Sequence, residues 1–246
     1  MIFRFALVVL GLLAVLGAAA ATTNELSDAE IQGRKLAQQI LQQQWPVTNF
    51  TQTGTLKIRD AKGKRTEIPV RFQISVAGMN ASSWSGDYEV TATNSPVRLV
   101  IVHTDDQPNA YRLSENGGSK ELEGNKAMIP FAGSDFWMAD LGTEFFHWPQ
   151  QKLIKQGVWN SRAYSILEST NPDPSTNGYA RVVSRIDSES GGILHAEAYD
   201  ARGKKLKEYD TKTLKKVNGQ WQVEEMDINN GQNDSRTRLE FDLKKE

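Results

Sequence analysis

Ile68-Pro69-Val70-Arg71-Phe72-Gln73-Ile74-Ser75-Val76 decides the fold class. Its apolar residues, Ile68, Val70, Phe72, Ile74 and Val76, fall on one parity, and Pro69, Arg71, Gln73 and Ser75 on the other. That is the period of a strand with one covered face and one wet face, the habit of antiparallel rather than parallel sheets. The same period runs outward on both sides. Upstream, Phe50, Leu56 and Ile58 share a parity, and Asp60–Lys64 reads as a turn. Downstream, Trp84, Tyr88 and Val90 share the next parity. Val97–Val102 is nearly continuous in apolar residues, which predicts a strand covered on both faces. Tyr111–Leu113 and Lys120–Leu122 read as a hairpin around Asn116-Gly117-Gly118.

Strands resume at Gly157–Glu168. The stretch Asn171-Pro172-Asp173-Pro174-Ser175-Thr176-Asn177-Gly178 is rich in turn formers. Alternation continues on both sides of it, so it reads as a long hairpin loop rather than a domain boundary. Further strands fit 179–187, 193–199, 204–217, 220–228 and 236–243. Trp221 and Val223 share one parity and Met226 and Ile228 the other, which predicts a bulge near Glu224-Glu225.

Two segments carry helical signals. Ser27 and Glu30 form a capping box, with Leu26 placed to staple onto Ile31. Leu36, Ala37, Ile40 and Leu41 then make one apolar stripe, and Pro46 ends the helix. Between Ala127 and Trp148 lies the densest aromatic patch of the sequence. Ser134 is expected to cap a short helix there, with Phe136, Trp137, Leu141 and Phe145 on one face. Ten or more strands with short connections favour sequential antiparallel pairing, and so large a sheet curls. The fold class is therefore α+β: a curved antiparallel sheet whose concave apolar face is covered by the helix at 27–44 and the inserted segment at 127–148.

Met1–Ala21 reads as a cleaved signal peptide, with Arg4 in the n-region, an apolar stretch from Phe5 to Leu16, and Ala19-Ala20-Ala21 at the cleavage site. Residues 22–246 are expected to form one domain. The 246 residues include no cysteine, which excludes lipidation behind the leader, disulfides and thiolate metal sites. A leader without cysteines suits a bacterial periplasm. The net charge is −1, with mixed signs along the chain, so no nucleic-acid partner is expected.

No catalytic, cofactor or metal constellation stands out. His103, His147 and His195 show no metal-ligand spacing. His103 beside Asp105-Asp106 reads as a surface strand end, and His195 with Glu197 as a solvated strand face. There is no G-x-S-x-G elbow, P-loop or G-x-G-x-x-G. The Lys204-Lys205 and Lys215-Lys216 pairs suit solvated strand edges.

Two motifs name a relationship. Gly133-Ser134-Asp135-Phe136 with Asp140-Leu141, and Tyr199-Asp200-x-x-Gly203-Lys204-x-x-Lys207, are accompanied by Trp221, Met226 and Thr237-x-Leu239. This set resembles the outer-membrane lipoprotein-sorting family, the LolA-like periplasmic carriers. The resemblance implies an unclosed β-barrel, lidded by helices, that holds acyl chains and is not an enzyme. Its partners would be a lipidated protein or lipid acyl chains, with an inner-membrane transporter and an outer-membrane acceptor, and the carrier itself a monomer. The residues expected to line the apolar cavity and lid are Phe72, Ile74, Trp84, Tyr88, Phe131, Phe136, Trp137, Leu141 and Phe145. Arg71 lies in the strand region where the resemblance places the family's lid-holding basic residue, but its parity opposes Phe72 and Ile74. The alternative is a non-catalytic envelope sensor or adaptor on the same fold, regulating a membrane partner. The missing N-terminal cysteine favours the soluble carrier.

Overall fold

The computed structural model describes residues 25–76, 82–90, 96–104, 107–159, 161–217 and 220–243. The expected signal peptide at Met1–Ala21, the strand break at Gly78-Met79-Asn80 and the pair Asp105-Asp106 lie outside the described residues.

Helix α1 (Asp28–Gln43) is followed by β1 (Phe50–Arg59), β2 (Arg65–Val76), β3 (Ser83–Val90), β4 (Val97–Thr104), β5 (Ala110–Glu115) and β6 (Gly118–Glu123). A mostly irregular segment holding the short helix α2 (Met138–Leu141) leads to β7 (Gln150–Trp159), β8 (Arg162–Thr170), β9 (Arg181–Asp187), β10 (Ile193–Tyr199), β11 (Lys205–Val217), β12 (Gln220–Asn230) and β13 (Ser235–Phe241). All thirteen strands join one antiparallel sheet in the order β6-β5-β4-β3-β2-β1-β13-β12-β11-β10-β9-β8-β7. It is a meander with one long-range join, where β1 pairs with β13. The two free edges, β6 and β7, are consecutive in sequence. The segment between them therefore has to cross the gap where a barrel would close, and the sheet stays unclosed.

Alternation sets the core. Along β13, Ser235, Thr237, Leu239 and Phe241 are buried, and Arg236, Arg238 and Glu240 are not. In β4 the same rule overturns the expectation of a strand covered on both faces. Leu99 and Ile101 are fully buried, but Val102 is 37% exposed, and Arg98 on the outer face pairs with Asp87 at 2.5 Å. The outward valines are β-branched residues suited to a pleated surface. The region read as one strand at 157–168 is the hairpin β7–β8. The sequence hid β7 because it is a polar edge strand, with Ile154, Val158 and Trp159 exposed. The expected bulge is present, as register shifts at Thr211–Leu214 opposite Val223–Met226.

In α1 the Glu30 carboxylate accepts from the Ser27 N–H (2.8 Å) and hydroxyl (2.6 Å). Gly33, Ala37 and Ile40 are buried, whereas Leu26 and Ile31 are exposed, so the expected staple between them is not a buried contact. The helix lies along β7 and shields that free edge from pairing with another chain. Its approach is set by Gly33, where an added Cβ would stand 2.6 Å from the backbone of Gln151 and Lys152.

The inserted segment departs from expectation. Ser134 does not start its helix. Residues 131–136 form a tight loop instead, in which the Phe131 N–H donates to the Phe136 carbonyl (2.8 Å) and Ala132 and Gly133 have φ of 50° and 73°. Helix α2 begins after Trp137, whose N–H donates to the Asp140 carboxylate (2.8 Å). Thr143, at φ 48°, then turns the chain into a single 3-10 turn at Glu144–His147. A segment buried on nearly every side is shaped by its surroundings, not by a helical stripe.

Gly33→Ala tests the helix seat. In a free helix this change gains about 1 kcal/mol. Here we expect a loss of about 1–3 kcal/mol from overpacking, read by urea unfolding, and a net gain would show that α1 does not need this approach.

Candidate functional site: the hollow and its buried lysine

The curled sheet and the inserted segment enclose a hollow. Its inner part, about 120 Å³, is lined by Tyr88, Phe136, Leu141, Phe145, Val182, Ile193, Ala196, Ala198, Tyr209, Met226 and Ile228, with Asp140 and Lys207. The small Ala196 and Ala198 on β10 leave this space open. Tyr88, Thr143, Ile193, Tyr209 and Met226 also border a wider mouth of about 580 Å³. Trp45, Val47, Phe50, Phe72, Ile74, Trp221, Val223 and Phe241 stand around that mouth.

Of the residues expected to form the cavity and lid, Tyr88, Phe136, Leu141 and Phe145 line the inner hollow, and Phe72 and Ile74 the mouth. Three are placed elsewhere. Trp84 stacks on His103 with ring centroids 3.9 Å apart. Phe131 is sealed in the core beside Tyr88, at 6.0 Å. Trp137 stacks on Tyr179 at 4.5 Å and faces a separate surface depression near Asp135. Trp84 keeps the inward parity of Tyr88 but lies further along β3, and Trp137 is turned away where α2 starts.

The two motifs meet in space. Lys207, 2% exposed, donates to the Asp135 carbonyl (2.6 Å) and to the Asp140 carboxylate (3.2 Å). Its ammonium lies 3.7 Å from the centre of the Trp137 ring. Burial lowers its pKa to about 8, against the pull of Asp140. The same Asp140 carboxylate accepts from the Tyr179 hydroxyl at 2.9 Å. The Asp135 carboxylate accepts from the hydroxyls of Thr237 (2.8 Å) and Ser235 and from the Asn230 amide (3.1 Å). Thus Asp135 and Asp140 tie the inserted segment to β11–β13. Arg71 is exposed on the outer face. Composition and spacing gave no sign of Lys207's role; the motif contained it, but a lysine on a strand reads as a solvated one.

A polar cluster occupies the other side of the inserted segment. Glu144 is 2% exposed and accepts from the Tyr111 hydroxyl (2.9 Å) and the Asn109 amide (3.0 Å). Burial raises its pKa to about 7, with those two bonds pulling the other way. His103 and His147 are pushed down to about 3 and about 4, chiefly by burial, so both are neutral. His103 is thus a buried histidine, not the surface strand end expected.

One group on the outer face has metal-ligand types. His195, Glu208 and Asp210 bring one ligand atom each within 4.8 Å of one another. Lysines already balance both carboxylates, Lys205 on Glu208 at 2.5 Å and Lys212 on Asp210 at 3.1 Å.

The sheet and the inserted segment define the class of fold: an unclosed antiparallel barrel around an apolar hollow. Three solved structures share it. A DUF1329 family protein from Desulfovibrio piger is 16% identical, covering 87% of this chain and 92% of its own, with a TM-score of 0.72. An outer-membrane lipoprotein-sorting protein domain from Vibrio parahaemolyticus is 18% identical, with the same coverage and TM-score. A LolA superfamily protein from Nitrosomonas europaea is 13% identical over 88% of this chain and 93% of its own, at a TM-score of 0.59. No curated protein matches the sequence. The chain belongs to the family whose model, described as an uncharacterized protein, matches residues 115–244. That span holds both motifs.

Lys207→Met leaves Asp140 facing the hollow without its cation. We expect a loss of about 3–5 kcal/mol in urea unfolding, the usual cost of breaking a buried pair from one side, and partial recovery when Asp140→Asn is added. A loss near zero would show that the pair does not tie the segment down.

Glu144 gives a pH signature. A carboxyl whose folded pKa is raised contributes stability that is complete below its ordinary pKa and is lost as pH rises through the folded one, here between about 4.5 and about 7. Glu144→Gln should therefore melt higher than the native protein at about pH 8, with the gap closing toward about pH 5. Parallel melting curves across that window would contradict it.

Proposed function

We propose that this protein is a periplasmic, non-enzymatic carrier that binds the acyl chains of lipoproteins or other lipids in the hollow and so serves outer-membrane lipoprotein sorting. One observation carries the reading: a small apolar cavity opens into a wide apolar mouth in the gap between β2, β12 and the end of α1. An exposed apolar rim on a soluble protein marks a binding surface. Phe50 and Val47 are exposed there, although burial would be favourable for both. Acyl chains gain about 0.8 kcal/mol per CH₂ removed from water, and the lining that would receive them is chiefly apolar, with Ser190 and Glu189, which accepts from the Trp221 indole (3.1 Å), at the mouth. Lys207 and Asp140 neutralise each other in the wall.

The cleaved leader, the single domain over 22–246 and the monomeric state belong to the same proposal. So do a donor in the inner membrane and an acceptor in the outer one. The fold shared with a lipoprotein-sorting domain supports the reading without fixing the cargo.

The test is mass spectrometry of organic extracts from native protein, joined to titration with a fluorescent fatty acid. Bound acyl material and saturable binding are expected. Phe50→Gln should weaken the probe about ten-fold, while an exposed position changes stability by no more than about 0.5 kcal/mol. Extracts without acyl material together with no saturable probe binding would remove the carrier reading.

A further inference from the structure

Arg185 stands in the middle of β9 on the outer face of the sheet. Ser184 and Ile186 on either side of it are buried, so strand alternation turns its side chain away from the hollow. Its cross-strand neighbours on that face are Ile166 on β8 and His195 on β10. With Trp159, Tyr164, Leu194 and Asp210 it lines a groove of about 490 Å³. The hollow lies behind this part of the sheet, where Val182 and Ala196 face it from the opposite side.

The other charges of this groove are already matched. Arg162 donates to the Asp187 carboxylate at 3.1 and 2.9 Å. Lys212 donates to Asp210 at 3.1 Å, and His195 Nδ1 lies 2.9 Å from the same carboxylate. Arg185 has no such partner among the described residues. Its Nε is buried without a hydrogen bond, whereas its two Nη groups stay open to the groove. Its Cζ lies 5.4 Å from the centre of the Tyr164 ring and 6.0 Å from that of Trp159. Those contacts attract the positive charge but take up no N–H as a hydrogen-bond donor. A guanidinium held by aromatic rings, with its planar fork free, is suited to an oxyanion. Trp159 is 61% exposed, so a large aromatic surface beside the fork is free as well.

We propose that this groove binds a singly charged carboxylate carried on an apolar body, with the Nη fork of Arg185 on the carboxylate and Trp159 against the body. The charge of the ligand follows from the lining. Among the described residues Arg185 is the cation of the groove without a counter-ion, so one negative charge balances it. A second would meet Asp210 in the same wall. A dianion such as phosphate is therefore disfavoured, and a planar carboxylate matches the fork with two parallel charge-assisted bonds. The apolar body follows from Trp159, Tyr164, Leu194 and Leu214 around the fork. The carboxylate can come from a free aryl or alkyl acid or from the C-terminus of a polypeptide. The site lies on the outer face of the sheet and stands whether or not the hollow carries acyl chains.

The experiment titrates phenylacetate into the isotopically labelled full chain at neutral pH, with phenylacetamide as the uncharged isostere and inorganic phosphate as the dianion. Phenylacetate should shift amides at 162–166, 183–187, 193–196 and 209–214, around the groove, and phenylacetamide should not. Arg185→Gln should weaken binding about ten-fold or more, the loss of a charged bidentate partner. Arg185→Lys keeps the charge but loses the fork and should weaken it several-fold. Trp159→Ala, at an exposed position, should keep the native melting temperature and weaken binding several-fold. An acetylated dipeptide ending in phenylalanine distinguishes the sources. A free-acid site binds it no better than phenylacetate, and a polypeptide site binds it more tightly than both phenylacetate and the C-terminally amidated peptide. Absent shifts, equal shifts from acid and amide, or full binding by Arg185→Gln would overturn the proposal. Shifts confined to the lining of the hollow, at 136–145 and 226–228, would overturn it while leaving the carrier reading intact. Phosphate that shifted the groove amides at lower concentration than phenylacetate would overturn it too, reassigning the fork to a dianion.

Discussion

The tie between Lys207 and the inserted segment is the interaction on which the rest depends. A sheet of thirteen strands that curls but does not close leaves its concave face open to water, and among the described residues it is the chain between β6 and β7 that crosses the gap. That chain has little regular structure of its own: one four-residue helix and two 3-10 turns, at Gly124–Ala127 and Glu144–His147. Its backbone polar groups therefore need partners from outside. Lys207 supplies one at the Asp135 carbonyl, and it reaches Asp140 as well. The Thr237 hydroxyl bridges the Asp135 carboxylate and the Asp135 N–H. A lysine is suited to the role because its four-carbon stem lies along apolar surface while its head makes the polar contacts. Opposite Ala198 in the register, that stem has room to run inward.

The same tie explains why a buried charge does not spoil an apolar hollow. The Lys207–Asp140 pair joins the sheet to the segment in the wall of the cavity, so each charge there is held against the other. Trp137 and Tyr179, stacked together, cover the pair from outside. An isolated lysine in that wall would repel hydrocarbon. A paired one leaves the residues lining the hollow to be chiefly apolar, with Tyr88, Tyr209 and Thr143 shared between hollow and mouth.

Much of this architecture was legible in the residues. Alternation at 68–76 identified an antiparallel sheet, the parity change at Trp221–Ile228 located the bulge, and Ser27 with Glu30 set the start of α1. What failed did so for identifiable reasons. β7 is an edge strand, so its alternation is blurred by Lys152, Lys155 and Gln156. Val97–Val102 looked doubly covered because outward valines suit a strand whether or not anything lies over them. The helix expected from Ser134 assumed that apolar spacing at Phe136, Trp137, Leu141 and Phe145 meant one continuous face. In the fold Phe136, Leu141 and Phe145 reach the hollow from a loop, the end of α2 and a 3-10 turn, Trp137 is turned away from it, and Asp140, not Ser134, caps the turn. The polar cluster left no pattern at all, since Asn109, Glu144 and His147 come from two distant segments and sit at no characteristic spacing.

How the hollow can open follows from where the segment is pinned. At its start, Asp135 is held by β12 and β13. At its end, the Gln151 amide donates to the carbonyls of Phe145 (2.9 Å) and Trp148 (2.8 Å), and Gln151 in turn accepts from the Ser169 hydroxyl at 2.7 Å. A lid swinging as one body would break both sets together. The stretch between, Leu141-Gly142-Thr143, is bonded mainly within the segment and is tied to the rest of the fold by less: Asn109 on the Gly142 carbonyl (2.8 Å) and the Thr143 hydroxyl on Gln44 at the end of α1 (3.3 Å). Leu141 and Thr143 also line the hollow. The least costly way in is thus a local shift at this point, with both ends of the segment staying docked. Such a shift would act on Asn109 and Glu144 directly, because the carbonyl that Asn109 holds belongs to the stretch that moves.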